Sequence, residues 1–359
     1  MAEGRRTGKA LAVRLDSDGD VLLSGPALRQ LKADADIVHL LVSPAGAAAA
    51  ALLPDVDEVV VADLPWAREC ASPPDSGELD RLLDRLREES YDEVVVLTSY
   101  HQSPLPMALL ARWAGVPRVV GTSDASPGAL LDTRVRRVPG GDDPGVGGGH
   151  EVEAMCAVVA AAGHPRTGDN RLCVSHSGPP PGLGAPYVVV HPTASAPARA
   201  IGVERAGAYA HALSAEGWQV VVTGGPGDAG VGAVVTPPGG VDLTGRTSLR
   251  DLAGVLAGAS AVVVGNTGPA HLAAAVGTPV VSLFAPVVPL ERWRPWGVPT
   301  VVLGDQGSPC ALGRARTCPV PGHPCTDVPA RQVVDAVHAL AGDPHGRSVV
   351  ASLVGRGAR

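Results

Sequence analysis

The chain has 359 residues, which is long enough for two domains that each bury a core. Its formal net charge is −7 at pH 7, and only 3% of its residues are aromatic. A nucleic-acid-binding protein needs a basic face and often aromatic side chains on which bases stack, so this composition argues against nucleic acid as a partner.

The beginning of the sequence passes directly into a short strand-like run and lacks the apolar segment of a secretory signal. No uninterrupted apolar stretch reaches the roughly 18 residues that a membrane helix needs. We therefore expect a cytoplasmic protein, placed peripherally at the inner face of the membrane if its substrate is lipid-linked.

Short apolar runs alternate with amphipathic segments in the first half of the chain. The predicted strands are 11–15, 37–42, 59–62 and 94–97, and the predicted helices are 21–31, 79–86 and 152–162. Strand, helix and strand at this spacing are typical of parallel βαβ units. The Gly/Asp/Pro-rich stretch 139–149 reads as a loop before the last of these helices.

A second series of the same kind follows a stretch rich in Gly, Pro and Ser. Its predicted strands are 187–190, 220–223, 261–264 and 280–284, and its predicted helices are 205–216, 249–256 and 269–276. The sequence thus predicts an N-terminal domain (1–172), a linker (173–186), a C-terminal domain (187–345) and a tail (346–359). Two doubly wound Rossmann-like α/β domains that face each other across a cleft are the simplest architecture.

The most informative segment follows the predicted strand at 261–264. Asn266 or Thr267 is placed to cap the next helix, and Pro269 lies in its first turn, where a missing N–H costs nothing. Free N–H groups at a helix N-terminus form an anion site, Gly268 allows close approach of a phosphate, and His271 offers a further donor. This segment therefore predicts a phosphate-binding loop.

Two more loops at predicted strand ends favour the same ligand. One loop supplies hydroxyls and a guanidinium that suits a diphosphate, and the other supplies two glycines and a carboxylate that suits ribose hydroxyls. Six residues of these loops are predicted to contact a nucleotide: Thr193, Ser195, Arg199, Gly224, Gly225 and Asp228.

Three carboxylates follow the first predicted strand within five residues: Asp16, Asp18 and Asp20. They are compatible with a divalent metal site or with an acidic helix start. A carboxylate at a helix N-terminus stays ionised at neutral pH, which suits a general base, and Asp20 is our candidate for that role.

Cysteines are scattered, and none of the six forms a CxxC pair. Cys310, Cys318 and Cys325 share a Pro/Gly-rich stretch with His323, so a metal site is conceivable there. Their spacing matches no standard zinc pattern, and we predict that the protein holds no metal.

These segments together resemble glycosyltransferase family nine, the ADP-heptose:lipopolysaccharide heptosyltransferases and their relatives. The run 14–29 is similar to the family's N-terminal signature, in which the aspartate after glycine is the catalytic base; here that residue is Asp20. The other segments that carry the resemblance are 55–60, 242–253 and 265–286.

The resemblance implies a GT-B fold, with a nucleoside-diphosphate sugar bound in the C-terminal domain and an acceptor in the N-terminal domain. It further implies inverting, metal-independent transfer of a heptose or related sugar, from an ADP-linked donor and without a cofactor. The acceptor would be a glycan, a lipid-linked glycan or a small molecule. In this scheme the helix start at 267–270 and Arg199 stabilise the leaving diphosphate.

The sequence departs from the family pattern at four places. One is 200–202, where Ala-Ile-Gly replaces the usual Arg-Trp-Pro. Asn266 stands where many relatives have aspartate, which leaves the donor sugar open, and Arg199 stands where many have lysine, which keeps the charge. The segment from Cys310 to Cys325 resembles a cysteine-rich segment of the family but lacks one of its usual cysteines, and we interpret it as a structural loop over the cleft.

Two alternative functions remain open. Non-hydrolysing nucleotide-sugar epimerases also use two such domains around a cleft, and a decayed transferase would only bind a nucleotide sugar. Retention of Asp20 and the segment that begins at Gly265 favour a transferase.

Overall fold

The computed structural model describes residues 7–67, 75–99, 102–136, 149–180, 182–184 and 186–344. The chain divides into two compact units, Met1–Ser175 and His176–Arg359. Cys70, most of the loop predicted at 139–149 and the predicted tail 346–359 lie outside the described residues. The domain limits and the linker inferred from sequence stay predictions.

The first unit is built on a six-stranded parallel sheet in the order β3-β2-β1-β4-β5-β6. Its strands are β1 (Thr7–Arg14), β2 (Ala35–Val42), β3 (Glu58–Val61), β4 (Glu93–Val96), β5 (Arg118–Thr122) and β6 (Thr133–Val135). Its helices are α1 (Asp18–Leu23), α2 (Gly25–Lys32), α3 (Ala47–Ala50), α4 (Ser76–Glu89), α5 (Leu105–Trp113) and α6 (Glu151–Ala161).

The second unit repeats this architecture with the sheet order β12-β11-β10-β7-β8-β9, again parallel throughout. Its strands are β7 (Tyr187–His191), β8 (Gln219–Val222), β9 (Val241–Asp242), β10 (Ala261–Gly265), β11 (Val280–Leu283) and β12 (Thr300–Leu303). Its helices are α7 (Val203–Ala215), α8 (Ala229–Val235), α9 (Leu249–Ala257), α10 (Gly268–Ala275), α11 (Leu290–Trp293) and α12 (Ala330–Ala341).

The central strands are apolar along their whole length because helices cover both faces of a parallel sheet. Every residue of β4, β7, β10 and β11 is buried. Amphipathic helices close the layers; α4, for example, buries Leu82 and Leu86 and exposes most of its charged side chains.

Both sheets have the same strand order when the strands of each unit are numbered from its start. In each sheet the order reverses beside the first strand, between β1 and β4 and between β7 and β10. Ligands of doubly wound folds bind outside the carboxyl ends of strands at such a switch point. Most of the predicted site residues follow β1, β7 or β10, while Gly224, Gly225 and Asp228 follow β8, the neighbour of β7.

The structure confirms the predicted doubly wound α/β architecture and adds detail. The single helix predicted at 21–31 is instead two helices, because Pro26 lacks an N–H and its ring interrupts a continuous hydrogen-bond ladder, while the Ser24 hydroxyl donates to Val21 O over 2.6 Å. The elements without a counterpart among the predictions are helices α3, α5, α8, α11 and α12 and strands β5, β6, β9 and β12. In the described part of the chain, no helix combines the length and apolarity that crossing a bilayer requires.

Candidate active site

A fully buried arginine organises the switch point of the first sheet. Arg14 is the last residue of β1, and three carboxylates surround its guanidinium. Its Nε lies 2.9 Å from Asp16 Oδ2, and its Nη2 lies 3.3 Å from Asp20 Oδ1 and 3.9 Å from Glu151 Oε2. Because one cation faces three acids, the cluster carries excess negative charge whenever all three are ionised.

Arg14 also ties β1 to the end of the neighbouring strand β4. Its Nη2 donates to Ser99 Oγ over 3.0 Å, and its Nη1 donates to Leu97 O over 3.4 Å. A buried guanidinium with this many partners is fixed in one orientation. Asp20 therefore lies against a rigid group at the switch point.

Asp16 is the most perturbed acid of the cluster. Burial raises its pKa to about 6, the nearby Asp20 acts in the same direction, and Arg14 partly opposes both. Gln102 Nε2 donates to Asp16 Oδ1 over 2.6 Å, which holds the carboxyl in place. Asp16 is thus a positioned acid that takes up a proton near pH 6.

The three aspartates do not converge as metal ligands would. Asp18 turns towards α3, where its Oδ1 accepts from Ala49 N over 2.9 Å, while Asp16 and Asp20 both contact Arg14. Among the described residues, one group of three side chains does bring its potential ligand atoms close together, and it consists of His39, Glu58 and Glu89. Both glutamates of this group already form ion pairs with Arg85. Neither the three aspartates nor this group therefore favours the binding of a metal cation.

In the second unit, the end of β10 brings two predicted phosphate-binding elements together. A short 3₁₀ turn, Pro197–Arg199, packs so closely on Gly265 that a Cβ there would overlap Arg199 O. Gly265 is therefore required for the turn to lie beside the start of α10, which Thr267 precedes and Gly268 opens. Among the described contacts, the Thr267 hydroxyl does not cap this helix.

The loops after β7 and β8 are joined through one carboxylate. Asp228 Oδ2 accepts from Thr193 Oγ1 and from Gly225 N, both over 2.7 Å. A Cβ on Gly224 would come within 2.9 Å of Asp228 Cβ, so the glycine permits the approach. The structure thus brings these four predicted nucleotide contacts together.

Other predicted contacts have structural partners of their own. Both amide atoms of Asn266 bind the backbone of Ala285, and His271 is buried within α10. Ser195 is exposed, and its carbonyl accepts from Arg316 Nη2 over 3.2 Å. Pro269 lies in the first turn of α10, as predicted.

His191 lies at the end of β7 and was not singled out from the sequence. It is buried, and its Nδ1 lies 2.9 Å from Thr223 Oγ1. Burial lowers its pKa to about 4, against a smaller raising effect of Asp228. The imidazole is therefore neutral at physiological pH.

The sequence analysis also missed three residues around Asp20, namely Arg14, Gln102 and Glu151. For Arg14 a signal was available, because a charged residue that ends an apolar strand is unusual.

The cysteine loop packs directly behind the turn that carries Arg199. Cys310 and Cys325 are buried against Ala198 and Ala285, with Cys318 at the edge of this cluster. Burial and the neighbouring Cys310 raise the pKa of Cys325 to about 12, so its thiol stays protonated. These contacts support a structural role for the loop.

Comparison with known proteins decides the family. The model of glycosyltransferase family 9 (heptosyltransferase) matches residues 79–323, well over half of the chain. The chain belongs to glycosyltransferase family 9. The matched residues include every predicted donor contact, and Asp20 precedes them.

Curated relatives agree with this assignment. The chain is 30% identical over 327 residues to lipopolysaccharide heptosyltransferase 1 of Pseudomonas aeruginosa, a match that covers 86% of this chain and 87% of that protein. It is 34% identical to lipopolysaccharide heptosyltransferase 3 of Escherichia coli over 122 residues, which are 32% of this chain and only 35% of that relative. The family enzymes are glycosyltransferases, and this member is heptosyltransferase-like.

Solved structures show the fold. A family 9 glycosyltransferase from Veillonella parvula superposes with a TM-score of 0.74 at 18% identity and covers 94% of this chain and 98% of its own. ADP-heptose lipopolysaccharide heptosyltransferase II of Escherichia coli gives 0.68 at 22% identity and covers 93% and 98%. The fold is therefore GT-B, as predicted.

Proposed function

We propose that this protein is an inverting glycosyltransferase that moves a heptose or related sugar from an ADP-linked donor to an acceptor hydroxyl. The observation that carries the proposal is the position of Asp20. Its carboxylate pairs with the buried Arg14 at the switch point of the first sheet. An epimerase or a binding protein needs no base that faces an acceptor, whereas a transferase does.

The second unit is the proposed donor domain. The start of α10 supplies backbone N–H groups and the positive end of a helix dipole, and Arg199 belongs to the 3₁₀ turn that packs on Gly265 just before this helix. Together they suit a diphosphate. The family and the relatives named for heptosyl transfer support an ADP-heptose donor.

The first unit is the proposed acceptor domain, and Asp20 is the proposed catalytic base. Asp20 takes the proton of the acceptor hydroxyl as its oxygen attacks the anomeric carbon. The bond from that carbon to the diphosphate breaks on the opposite face, so the configuration inverts and the nucleoside diphosphate leaves. A positioned base contributes about 10²–10⁴ in rate.

We propose that the transfer needs no metal ion or cofactor. Arg199 and the α10 N-terminus meet the charge that develops on the leaving diphosphate, which is the role that a divalent cation fills in other transferases. Asp16 and Asp18 are engaged with Gln102 and with the α3 backbone. The nucleotide donor chemistry favours action in the cytoplasm.

The test is to incubate the purified protein with a panel of nucleotide sugars, including ADP-heptose, and with neutral, phosphorylated and lipid-linked sugar acceptors, and to follow products by mass spectrometry. We expect a glycosylated acceptor and free ADP with ADP-heptose, unchanged by EDTA. An epimerised nucleotide sugar without transfer would establish the epimerase alternative instead. Tight donor binding without turnover on any acceptor would favour a decayed binding protein.

A further inference from the structure

The cysteine loop, residues 310–325, is anchored at the carboxyl edge of the second sheet. Its Arg314 N donates to Val287 O over 2.8 Å, in the segment that follows β11. Its Arg316 O accepts from Ala198 N over 2.9 Å, in the loop that follows β7. Doubly wound folds bind their ligands at this edge, so the anchoring places the cysteine loop beside the proposed donor site.

Arg316 is held against the loop that carries three of the predicted donor contacts. Besides its backbone bond to Ala198, its Nη2 donates to Ser195 O over 3.2 Å. Ala198 directly precedes Arg199, whose carbonyl lies against Gly265, three residues before α10 begins. Short contacts thus lead from Arg316 to the start of α10, and the exposed side chain of Arg316 is open to a ligand from solvent.

The segments that meet at this edge are positively charged. Residues 192–203, 262–290 and 306–326 contain three arginines and no aspartate, glutamate or lysine. Asp228 contacts the first of these segments through Thr193 Oγ1, but one carboxylate does not offset three guanidinium groups. A diphosphate carries several negative charges and is bound well by guanidinium groups, which present paired N–H donors.

We propose that Arg316 binds the diphosphate of the nucleotide donor, as a second guanidinium beside Arg199. The loop 192–203 supplies one cation of its own, and the cysteine loop supplies the other. Arg316 then stabilises the diphosphate both in the bound donor and as it leaves, so its loss weakens donor binding itself. This inference rests on the proposed function and adds a binding residue to its donor side.

The test is isothermal calorimetry of the full-length protein with ADP, UDP and adenosine, without sugar donor or acceptor. Arg316→Ala should weaken ADP binding about five- to tenfold, as expected for one charge-assisted contact that solvent partly screens. Adenosine, which has no phosphate, should bind both proteins equally. Added salt should weaken ADP binding to the wild type more than to the variant, because it screens the charge of Arg316.

Two further variants separate the charge of Arg316 from its contact with Ser195. Arg316→Lys keeps the positive charge and should bind ADP within about threefold of the wild type. Arg316→Gln keeps an N–H donor for Ser195 O but not the charge, so it should lose as much affinity as Arg316→Ala. The control is Arg331→Ala, which removes an arginine that is 68% exposed on α12 and pairs with Glu216, and it should leave ADP affinity unchanged.

Equal ADP affinity of Arg316→Ala and the wild type would overturn the inference and leave the proposed function intact. Full affinity of Arg316→Gln with reduced affinity of Arg316→Lys would also overturn it, since the role of the residue would then be structural. If UDP and not ADP binds with this dependence on Arg316, the inference stands and the ADP-linked donor is wrong. A wild type that binds neither nucleotide overturns the inference, whereas nucleotide binding without sugar transfer contradicts the proposed function alone.

Discussion

Asn266 and Ala285 are joined through both atoms of the Asn266 amide. Nδ2 donates to Ala285 O and Oδ1 accepts from Ala285 N, each over 3.2 Å. The side chain thus ties the end of β10 to the residues that follow β11, in the way a further rung of the sheet would. The residue assigned to the donor from sequence is engaged by the backbone, and an ionised aspartate, which has no proton to donate, could not make both bonds.

Asn266→Asp should destabilise the second unit at neutral pH by about 1–3 kcal/mol, because the new carboxylate would face Ala285 O without a proton to donate. Urea unfolding at pH 7.5 measures the loss. At pH 4.5 the penalty should shrink, since a protonated carboxyl donates again. Equal stability of variant and wild type at pH 7.5 would show that the amide bridge contributes nothing.

Gly265→Ala should lower ADP affinity by more than tenfold, because the new methyl would overlap Arg199 O and push the 197–199 turn away. Isothermal calorimetry gives the affinity. Gly254→Ala is the matched control, since its methyl would overlap Gly178 O, another backbone carbonyl, away from the proposed donor loops. Both variants should be less stable than wild type. Equal losses of ADP affinity in the two variants would refute a specific role of the Gly265–Arg199 approach.

Asp20→Asn should lower single-turnover transfer by about 10²–10⁴ while donor affinity and melting temperature change little, because it removes the proton acceptor and keeps the shape. Asp18→Asn is the control in the same turn. Its oxygen can still accept from Ala49 N, so transfer should stay near wild type. Similar rates for both variants would remove Asp20 as the base.

His191 should make the second unit less stable in acid. Its pKa is about 4 in the folded protein and near 6.5 when unfolded, so the unfolded chain binds the proton first. The stability contributed by the neutral ring is complete above pH 6.5 and is lost as pH falls towards 4, by about 3 kcal/mol in all. His191→Gln should flatten this part of the pH–stability curve measured by denaturant unfolding; an unchanged slope would contradict the assignment.

In the first unit, Asp16 should have the opposite effect on how stability depends on pH. Its pKa rises from 3.8 to about 6 on folding, so the folded protein binds the proton first. The stability that the protonated Asp16 carboxyl contributes is therefore present below pH 4. It is lost as pH rises through 6, again by about 3 kcal/mol. Asp16→Asn removes the titrating group and keeps an acceptor oxygen for only one of Arg14 and Gln102, so it should lower stability at every pH and remove the slope. If the variant loses as much stability between pH 4 and 6 as the wild type does, the Asp16 carboxyl is not the cause of this pH dependence.

Much of the fold was predictable because parallel strands covered on both faces must be apolar. The runs that became β4, β7, β10 and β11 were visible for that reason. Strand β12 was missed because it is only partly buried, and α5 because Pro106 in its first turn resembles a helix breaker while being tolerated there.

The candidate site was predictable only where local sequence specifies it. A glycine and a proline at a helix start predict the proposed α10 anion site, and the position after glycine marks Asp20, the proposed base, in a family signature. The partners of Arg14 and Asn266 come from distant segments: Leu97 lies 83 residues from Arg14, and Ala285 lies 19 residues from Asn266. The pKa of Asp16 likewise depends on burial, which arises only when the sheet and its loops assemble, so the tertiary structure alone decided it.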